Sequence, residues 1–190
     1  MASLQETRIR SGLHILNPDD RTLSYLKKAG YAGFQDAPPE KLRELFIRSA
    51  EEVEALLWKR INSGAPTGAE TVLSSGKYRD AVTSVVQGGG QFYLIYVALS
   101  SPKLAIHRVA HRVTQKGHGV PEDKIRKRWR ESLQELPWFL HRATVSWVFD
   151  NSGDSPQLVA RCSHGVVEQF QSTFRDLQRA LRRTSHLQGD

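Results

Sequence analysis

Apolar runs bounded by turn residues alternate along this chain with stretches in which apolar residues recur every three or four positions. The runs with the composition of buried strands are residues 12–17, 68–73, 91–99 and 145–153, with a short fifth at 156–162. The amphipathic stretches that predict helices are residues 22–28, 39–64 and 77–86, one that ends near Arg112 and one that begins near Pro121. Strands that alternate with helices predict an α/β fold with crossover connections and a parallel sheet.

The C-terminal part of the chain has a helical pattern. After Gly165, apolar residues occupy positions 166, 167, 170, 174, 177 and 181, and arginines occupy the other faces. This spacing predicts a single amphipathic helix. We therefore expect one domain over residues 1–165, followed by a C-terminal helix and tail over residues 166–190.

The composition of the chain limits the classes of protein to which it can belong. The chain has 190 residues, 39% of them hydrophobic, which is enough for one ordinary core. No run of about 18 apolar residues occurs, so no membrane span is expected, and the single cysteine is typical of a reducing cytoplasm. The net charge of +7 fits a nucleotide or nucleic-acid partner, or more simply a solvated basic surface. The four tryptophans are spread through the chain and are not arranged as the stacking platforms of a nucleic-acid interface would be.

Polar residues follow or interrupt three of the predicted strands, where α/β sheets bind ligands. Asp19 and Asp20 follow the first strand, where a carboxylate could accept a proton from a hydroxyl, help to hold a metal, or simply cap a helix. Glu70 lies inside the second predicted strand, where a carboxylate is costly unless it faces a polar cavity or a partner. Asp150 and Asn151 end a later strand.

Basic residues cluster in the segment that precedes this later strand. Arg108 and Arg112 lie four residues apart on one helix face, and Arg128 lies at the edge of the apolar stripe of the next helix. Converging arginines suit phosphoryl transfer, which depends mainly on stabilisation of charge, although surface ion pairing also explains them. His118, between two glycines, is expected to be flexible and exposed and to contact a ligand. No second His or Cys lies at metal-ligand spacing, so no zinc site is expected.

Four segments, taken in order, resemble the zeta-toxin-like family of P-loop kinases. They are Asn-Pro-Asp at residues 17–19, ETVLSS at 70–75, HRVAHRVTQKGHGVPEDKIRKRW at 107–129 and VFDNSG at 148–153. The resemblance extends from about residue 12 to about residue 160. Lys116 departs from the pattern, because the family often has a glycine at this position.

The resemblance implies a three-layer P-loop-kinase-like fold, with a parallel sheet between flanking helices. It also implies phosphorylation of a hydroxyl by ATP with Mg²⁺, on a UDP-activated amino sugar in the best-known members. By the same resemblance, Asp19 is the catalytic base, and Arg112 and Arg128 are further catalytic residues. The implied substrate-binding residues are Glu70, Thr71, Arg108 and His118, and the implied nucleotide-binding residues are Asp150 and Asn151.

The phosphate loop of the family has no counterpart in this sequence. A Walker A loop needs Gly, four residues and then Gly-Lys-Ser or Gly-Lys-Thr. The nearest segment has Thr71 in place of the first glycine and Tyr78 after Lys77, and it overlaps the acceptor-binding motif. The family's first strand and loop would precede residue 12, so we expect an N-terminally truncated domain whose residues 1–12 are at most the end of the first helix. Without the loop, ATP binding and kinase activity are expected to be impaired.

The sequence leaves two further interpretations open beside a kinase, one from the missing strand and one from the charge. Unpaired sheet edges near Ile95 and Val97 would allow a non-catalytic interaction module to pair with itself, with a complementing chain or with an antitoxin-like protein. A basic nucleic-acid binder is the third interpretation, which the charge permits. In each case, the expected location is the cytoplasm, with no membrane partner.

Overall fold

The computed structural model describes residues 13–115 and 117–186. The expectations for residues 1–12 and for Lys116 lie outside the described residues. Contacts divide the chain into two compact units. The first unit consists of Met1–Thr71 and Arg112–His118, and the second consists of Val72–His111 and Gly119–Asp190.

In its described residues, the first unit has two short parallel strands and the two helices that lie between them along the chain. Strand β1 (His14–Leu16) pairs with β2 (Thr67–Ala69), with His14 opposite Thr67. Helix α1 (Pro18–Lys28) begins directly after β1, because the Asn17 side chain accepts the Asp19 N–H at 2.8 Å and caps the helix. Helix α2 (Pro39–Asn62) buries Leu45, Ser49, Val53 and Leu57, which are spaced four residues apart on one face.

The second unit is built around a four-stranded sheet with the order β3–β4–β5–β6. Its strands are β3 (Tyr93–Ala98), β4 (Val145–Asp150), β5 (Gln157–Ser163) and β6 (Val166–Gln169). Its helices are α3 (Arg79–Gln87), α4 (Pro102–Thr114), α5 (Glu122–Arg142) and α6 (Arg175–His186). A 3₁₀ turn (Gly76–Tyr78) leads directly into α3. Residues 112–114 at the end of α4 belong to the first unit.

The core of the second unit lies on one face of this sheet. Tyr96, Val148 and Cys162 are buried there together with Leu136 of α5 and Leu177 of α6. The sequence predicted the apolar stripe of α5 correctly, since its four positions are buried or half-buried. These positions are Ile125, Trp129, Leu133 and Leu136. Burial raises the pKa of the Cys162 thiol, so this residue is an unreactive part of the core.

The opposite face of the sheet is apolar and open to solvent along β3. Tyr93, Ile95 and Val97 are 52%, 62% and 52% exposed. They lie in register with Val145, Trp147 and Phe149 of β4, and the Tyr93 and Trp147 rings stack with centroids 6.5 Å apart. Within the described residues, β3 pairs with β4 alone, so its other edge has no strand partner.

The predicted α/β class is confirmed, and the prediction of one parallel sheet holds only in part. The β1–β2 and β3–β4 pairs are parallel, whereas β5 and β6 are antiparallel to their neighbours. Within the part of the chain that the structure describes, the strands form two sheets, of two and four strands. None of the described helices has the length and apolar character that spanning a membrane requires.

The prediction of one helix from residue 166 onward was wrong for its first part. Residues 166–169 form β6, and the helix begins only at Arg175. His164 and Gly165 have φ angles of 48° and 80°, which close a two-residue hairpin between Ser163 and Val166. The predicted domain boundary after residue 165 falls between this turn and β6, which pairs with β5 in one sheet.

Candidate functional site

Two polar side chains meet where β1 and β2 end. Asn17 follows β1 and Glu70 follows β2, and the Asn17 Nδ2 donates a hydrogen bond of 2.9 Å to Glu70 Oε2. The Glu70 N–H donates to the carbonyl of Leu16 at 3.0 Å, which continues the strand pairing by one bond. The carboxyl ends of β1 and β2 lie side by side because the two strands are parallel. Glu70 lies just beyond the strand and is exposed, so the expected cost of a carboxylate inside a strand does not arise.

Asp19 lies in the first turn of α1, beside Asn17. Its side chain is 44% exposed, and Oδ2 lies 3.6 Å from His118 Nδ1. Asn17 is the residue that caps α1, so Asp19 and Asp20 are free of that role and add negative charge at the helix N-terminus. Asp19 therefore combines an accessible carboxylate with a neighbouring imidazole, an arrangement that can accept a proton from a hydroxyl.

His118 is packed, contrary to the expectation of a flexible and exposed residue. Its side chain is 18% exposed, and its ring lies 5.3 Å from the rings of both Phe34 and Phe46. The two phenylalanine rings stack on each other at 5.7 Å. Gln35 Nε2 donates to the carbonyls of Val113 at 2.7 Å and Gly117 at 3.4 Å, which holds the His118 segment within the first unit.

Arg112 and Thr71 also belong to the first unit, and both are exposed. The Arg112 carbonyl accepts hydrogen bonds of 3.0 Å from the N–H groups of Gln115 and Gly117, which end α4. A Cβ atom on Gly117 would lie 2.7 Å from Arg112 Cγ and 2.9 Å from the Arg112 carbonyl oxygen, so a side chain here would force the turn to shift. The turn fixes the backbone of Arg112 and leaves its guanidinium at the surface.

The remaining candidate residues belong to the second unit. Arg108 Nη2 donates to the carbonyls of Asn151 at 2.7 Å and Gly153 at 3.0 Å, and so holds the turn after β4. Asp150 accepts hydrogen bonds from Ser152 and from the Thr173 hydroxyl. Arg128 is exposed. Arg108 and Asp150 therefore have structural hydrogen bonds that the sequence did not predict.

The segment that approaches a Walker A loop has a different geometry. Gly76 begins a single 3₁₀ turn that leads into α3, and Lys77 Nζ lies 5.9 Å from the centre of the Tyr78 ring. The structure thus places a lysine above an aromatic ring at this point. Among the described residues, no three His, Cys, Asp or Glu side chains form a group that could hold a metal ion.

Sequence reasoning missed the residues that support the Asp19 region. Phe34 and Gln35 lie in a turn-rich segment without a periodic pattern, so no sequence signal indicated their contacts. A second missed cluster joins α1 to α2, where the Glu52 carboxylate accepts hydrogen bonds from the Tyr25 hydroxyl, Arg48 and Arg21. These three donors lower the pKa of Glu52 to about 2.

An open cavity of about 270 Å³ lies beside Asn17 in the first unit. It is lined by Ile15, Leu16, Asn17, Asp20, Arg21, Ser24, Val53 and Leu56. The lining combines apolar residues of β1 and α2 with polar residues of α1.

No protein-family model matches this chain, and neither a curated protein nor a solved structure matches it significantly. The functional assignment therefore depends on the four segments that resemble the zeta-toxin-like kinases and on the geometry of their residues.

Proposed function

We propose that this chain is a zeta-toxin-like phosphotransferase domain whose first unit binds the hydroxyl acceptor. The observation that carries the proposal is the hydrogen bond between Asn17 and Glu70, with Asp19 in the adjacent helical turn. It places two carboxylates at the carboxyl ends of two parallel strands, which is where α/β folds bind ligands. The three-layer P-loop-kinase-like arrangement is part of this proposal.

Asp19 is the proposed catalytic base. Its carboxylate accepts the proton of the acceptor hydroxyl, and the hydroxyl oxygen forms a bond to the γ-phosphorus of ATP while the bond to the β,γ-bridging oxygen breaks. His118 Nδ1 lies 3.6 Å from Asp19 Oδ2. ATP with Mg²⁺ supplies the phosphoryl group and the leaving ADP.

The acceptor in this proposal is a UDP-activated amino sugar or a similar molecule with several hydroxyls. Glu70 and Thr71, exposed at the end of β2, are suited to accept and donate hydrogen bonds to such hydroxyls. Within the first unit, the exposed Arg112 supplies positive charge for the transferred phosphoryl group. The role that the resemblance implies for Arg128 stays a proposal for the second unit by itself. Arg108 keeps only the donors of Nε and Nη1 for a ligand, because Nη2 is bonded to the turn after β4.

On the nucleotide side, Asp150 and Asn151 are the proposed contacts of the adenine. Within residues 13–115 and 117–186, the one Gly-Lys pair lies in the 3₁₀ turn at Gly76–Tyr78, which has a single glycine. A nest of backbone N–H groups around the β- and γ-phosphates needs several such permissive positions. We therefore propose weak ATP binding and slow phosphoryl transfer by this chain.

Calorimetric titration of the chain with a UDP-activated amino sugar, with UDP and with ATP plus Mg²⁺ tests this proposal. Glu70→Gln is expected to weaken binding of the UDP-sugar about tenfold, as expected for a lost hydrogen bond to a charged group. Glu51→Gln, at an exposed position of α2 in the same unit, is the matched control and is expected to change nothing. Asp19→Asn is expected to preserve binding and abolish the slow transfer, followed by ³¹P NMR.

Two results would contradict the proposal. One is tight ATP binding with hydrolysis in the absence of an acceptor, since this needs a phosphate cradle. The other is UDP-sugar binding that Glu70→Gln and Glu51→Gln leave equally unchanged.

A second candidate function is self-association through β3. The observation that favours it is the open edge of β3 together with its exposed side chains, Tyr93, Ile95 and Val97. The strand has no charge, proline or glycine that would block pairing. A second copy fits this edge, because two β3 strands paired antiparallel about a twofold axis would each gain the missing partner.

A further inference from the structure

Most of the net positive charge of the chain lies on two helices of the second unit. Helix α5 has six Lys or Arg residues against four Asp or Glu, and α6 has four Arg against one Asp. Together, the two helices carry five of the seven net positive charges. They share one layer, because side chains from both pack into the core on the same face of the sheet.

Helix α6 separates its apolar and basic residues completely. Leu177, Ala180, Leu181 and Thr184 are buried on one face. The arginines at positions 175, 179, 182 and 183 are exposed on the other. Arg179 forms an ion pair of 3.3 Å with Asp176, while Arg175, Arg182 and Arg183 have no carboxylate partner among the described residues. An exposed guanidinium group without a carboxylate partner can bind an anion without first losing an ion pair.

Helix α5 extends this basic surface. Arg126 and Lys127 form ion pairs within the helix, with Glu122 at 3.4 Å and with Glu131 at 3.7 Å. Arg130 is exposed and has no such pair in the described part of the chain. At the end of the helix, the exposed Arg142 stacks on the Trp138 ring at 4.1 Å, which orients its guanidinium without consuming its N–H donors.

The chemistry of this surface indicates the kind of partner. Guanidinium groups pair well with phosphate, and a row of them suits a polymer of phosphates. All residues of α5 and α6 are described, and no large apolar side chain on either helix is exposed. Single-stranded nucleic acids need exposed aromatic rings for stacking, and membrane surfaces bind exposed apolar side chains, so both are disfavoured.

We propose that the outer surface of α5 and α6 binds duplex DNA through its phosphodiester backbone. An α-helix fits the major groove of B-form DNA, whereas the major groove of duplex RNA is too deep and narrow for side chains to reach. The arginines on the exposed face of α6 then contact phosphates on either side of the groove. With no side chain committed to base edges, the binding is independent of sequence. This site is distinct from the Asp19 region and does not depend on the proposed phosphotransferase.

Fluorescence anisotropy of the full chain with a labelled 20-base-pair duplex tests the proposal. With about three phosphate contacts, the affinity is expected to fall roughly fiftyfold between 50 and 200 mM salt. Arg182→Gln combined with Arg183→Gln should reduce the slope of log affinity against log salt by about two and weaken binding about tenfold. Both residues are exposed, so the double variant is expected to fold.

The matched control is Arg43→Gln combined with Lys59→Gln, which removes two exposed positive charges from α2 in the first unit. It is expected to change the affinity less than twofold. A second pair on α6, Arg175→Gln with Arg182→Gln, should reproduce the loss. Equal effects of the control and the α6 variants would overturn the proposal, as would tighter binding to single-stranded RNA or to vesicles of anionic lipid than to the duplex.

Discussion

Asn17 and Glu70 are joined by a hydrogen bond of 2.9 Å although 53 residues separate them in the sequence. Asn17 has two functions at once, since its amide donates to Glu70 while its side-chain oxygen accepts the Asp19 N–H at 2.8 Å. One side chain thus ends β1, begins α1 and fixes the end of β2. The geometry of both candidate carboxylates depends on this residue.

Replacing Asn17 is expected to cost more stability than replacing its partner. Asn17→Ala removes the helix cap and the bond to Glu70, for a loss of about 1–2 kcal/mol in the free energy of unfolding. Glu70→Ala removes the same bond and preserves the cap, so its loss should be smaller, about 0.5 kcal/mol for an exposed pair. Urea denaturation of both variants measures the difference. Equal losses would show that the cap contributes nothing.

The Glu52 cluster predicts a specific dependence on acid. Its hydrogen bonds to Tyr25, Arg48 and Arg21 lower the pKa of Glu52 in the folded chain to about 2, from an ordinary value of 4.5. The ionised form is therefore stabilised by folding, and this contribution is complete above about pH 4.5 and is lost as the pH falls toward 2. Glu52→Gln should lower the melting temperature by several degrees at pH 7 and by little near pH 2.

Thermal unfolding at pH 7, 5 and 3, followed by circular dichroism, checks this prediction. Glu51→Gln, at the adjacent exposed position, is the control and should match the unmodified chain throughout. A difference between Glu52→Gln and the unmodified chain that stays constant from pH 7 to pH 3 would contradict the role assigned to the ionised carboxylate.

Long elements with a consistent period were predictable from the sequence. The stripe over residues 39–64 gave α2, observed at Pro39–Asn62, and the apolar run at residues 91–99 gave β3. Strand β6 was not predicted, because Val166, Val167 and Phe170 fit helical spacing as well as a strand. The hairpin depends on the positive φ angles of His164 and Gly165, and only Gly165 favours this conformation in the sequence.

The candidate site was predictable where it follows from strand ends. Asp19 follows the first strand as predicted, whereas Glu70, predicted inside the second strand, lies just after β2, and the pairing of β1 with β2 was not predicted. The contact of His118 with Phe34 and Phe46 could not be predicted, because it joins segments more than 70 residues apart and one of them has no periodic pattern. The roles of these residues in phosphoryl transfer stay predictions.

The buried hydroxyl pair of Tyr96 and Ser132 predicts a loss of stability in alkali. The two oxygens lie 2.9 Å apart in the core, and burial raises the pKa of Tyr96 to about 12 from an ordinary value of 10. The neutral phenol is the form that folding favours, so its contribution is complete below pH 10 and is lost as the pH rises toward 12. Tyr96→Phe should therefore be less stable than the unmodified chain at pH 7, with a smaller difference at pH 11.

Denaturation of single and double variants separates the bond from the packing. Tyr96→Phe leaves the Ser132 hydroxyl unpaired in the core and is expected to cost about 1–2 kcal/mol at pH 7. In the double variant, Ser132→Ala removes this unpaired group, so the total loss should be less than the sum of the two single losses. Strictly additive losses would mean that the two hydroxyls do not interact.

The exposed side of β3 predicts self-association that one charge can prevent. Ile95 is 62% exposed on a strand with an open edge, and a lysine there would place charge on the pairing strand. Ile47, 51% exposed on α2, is the matched control because it has the same side chain and a similar exposure on a helix. Sedimentation equilibrium should show a concentration-dependent dimer that Ile95→Lys weakens at least tenfold and Ile47→Lys preserves. If the unmodified chain stays monomeric at millimolar concentration, β3 does not mediate self-association, because pairing of two β3 edges would then be too weak to form a dimer.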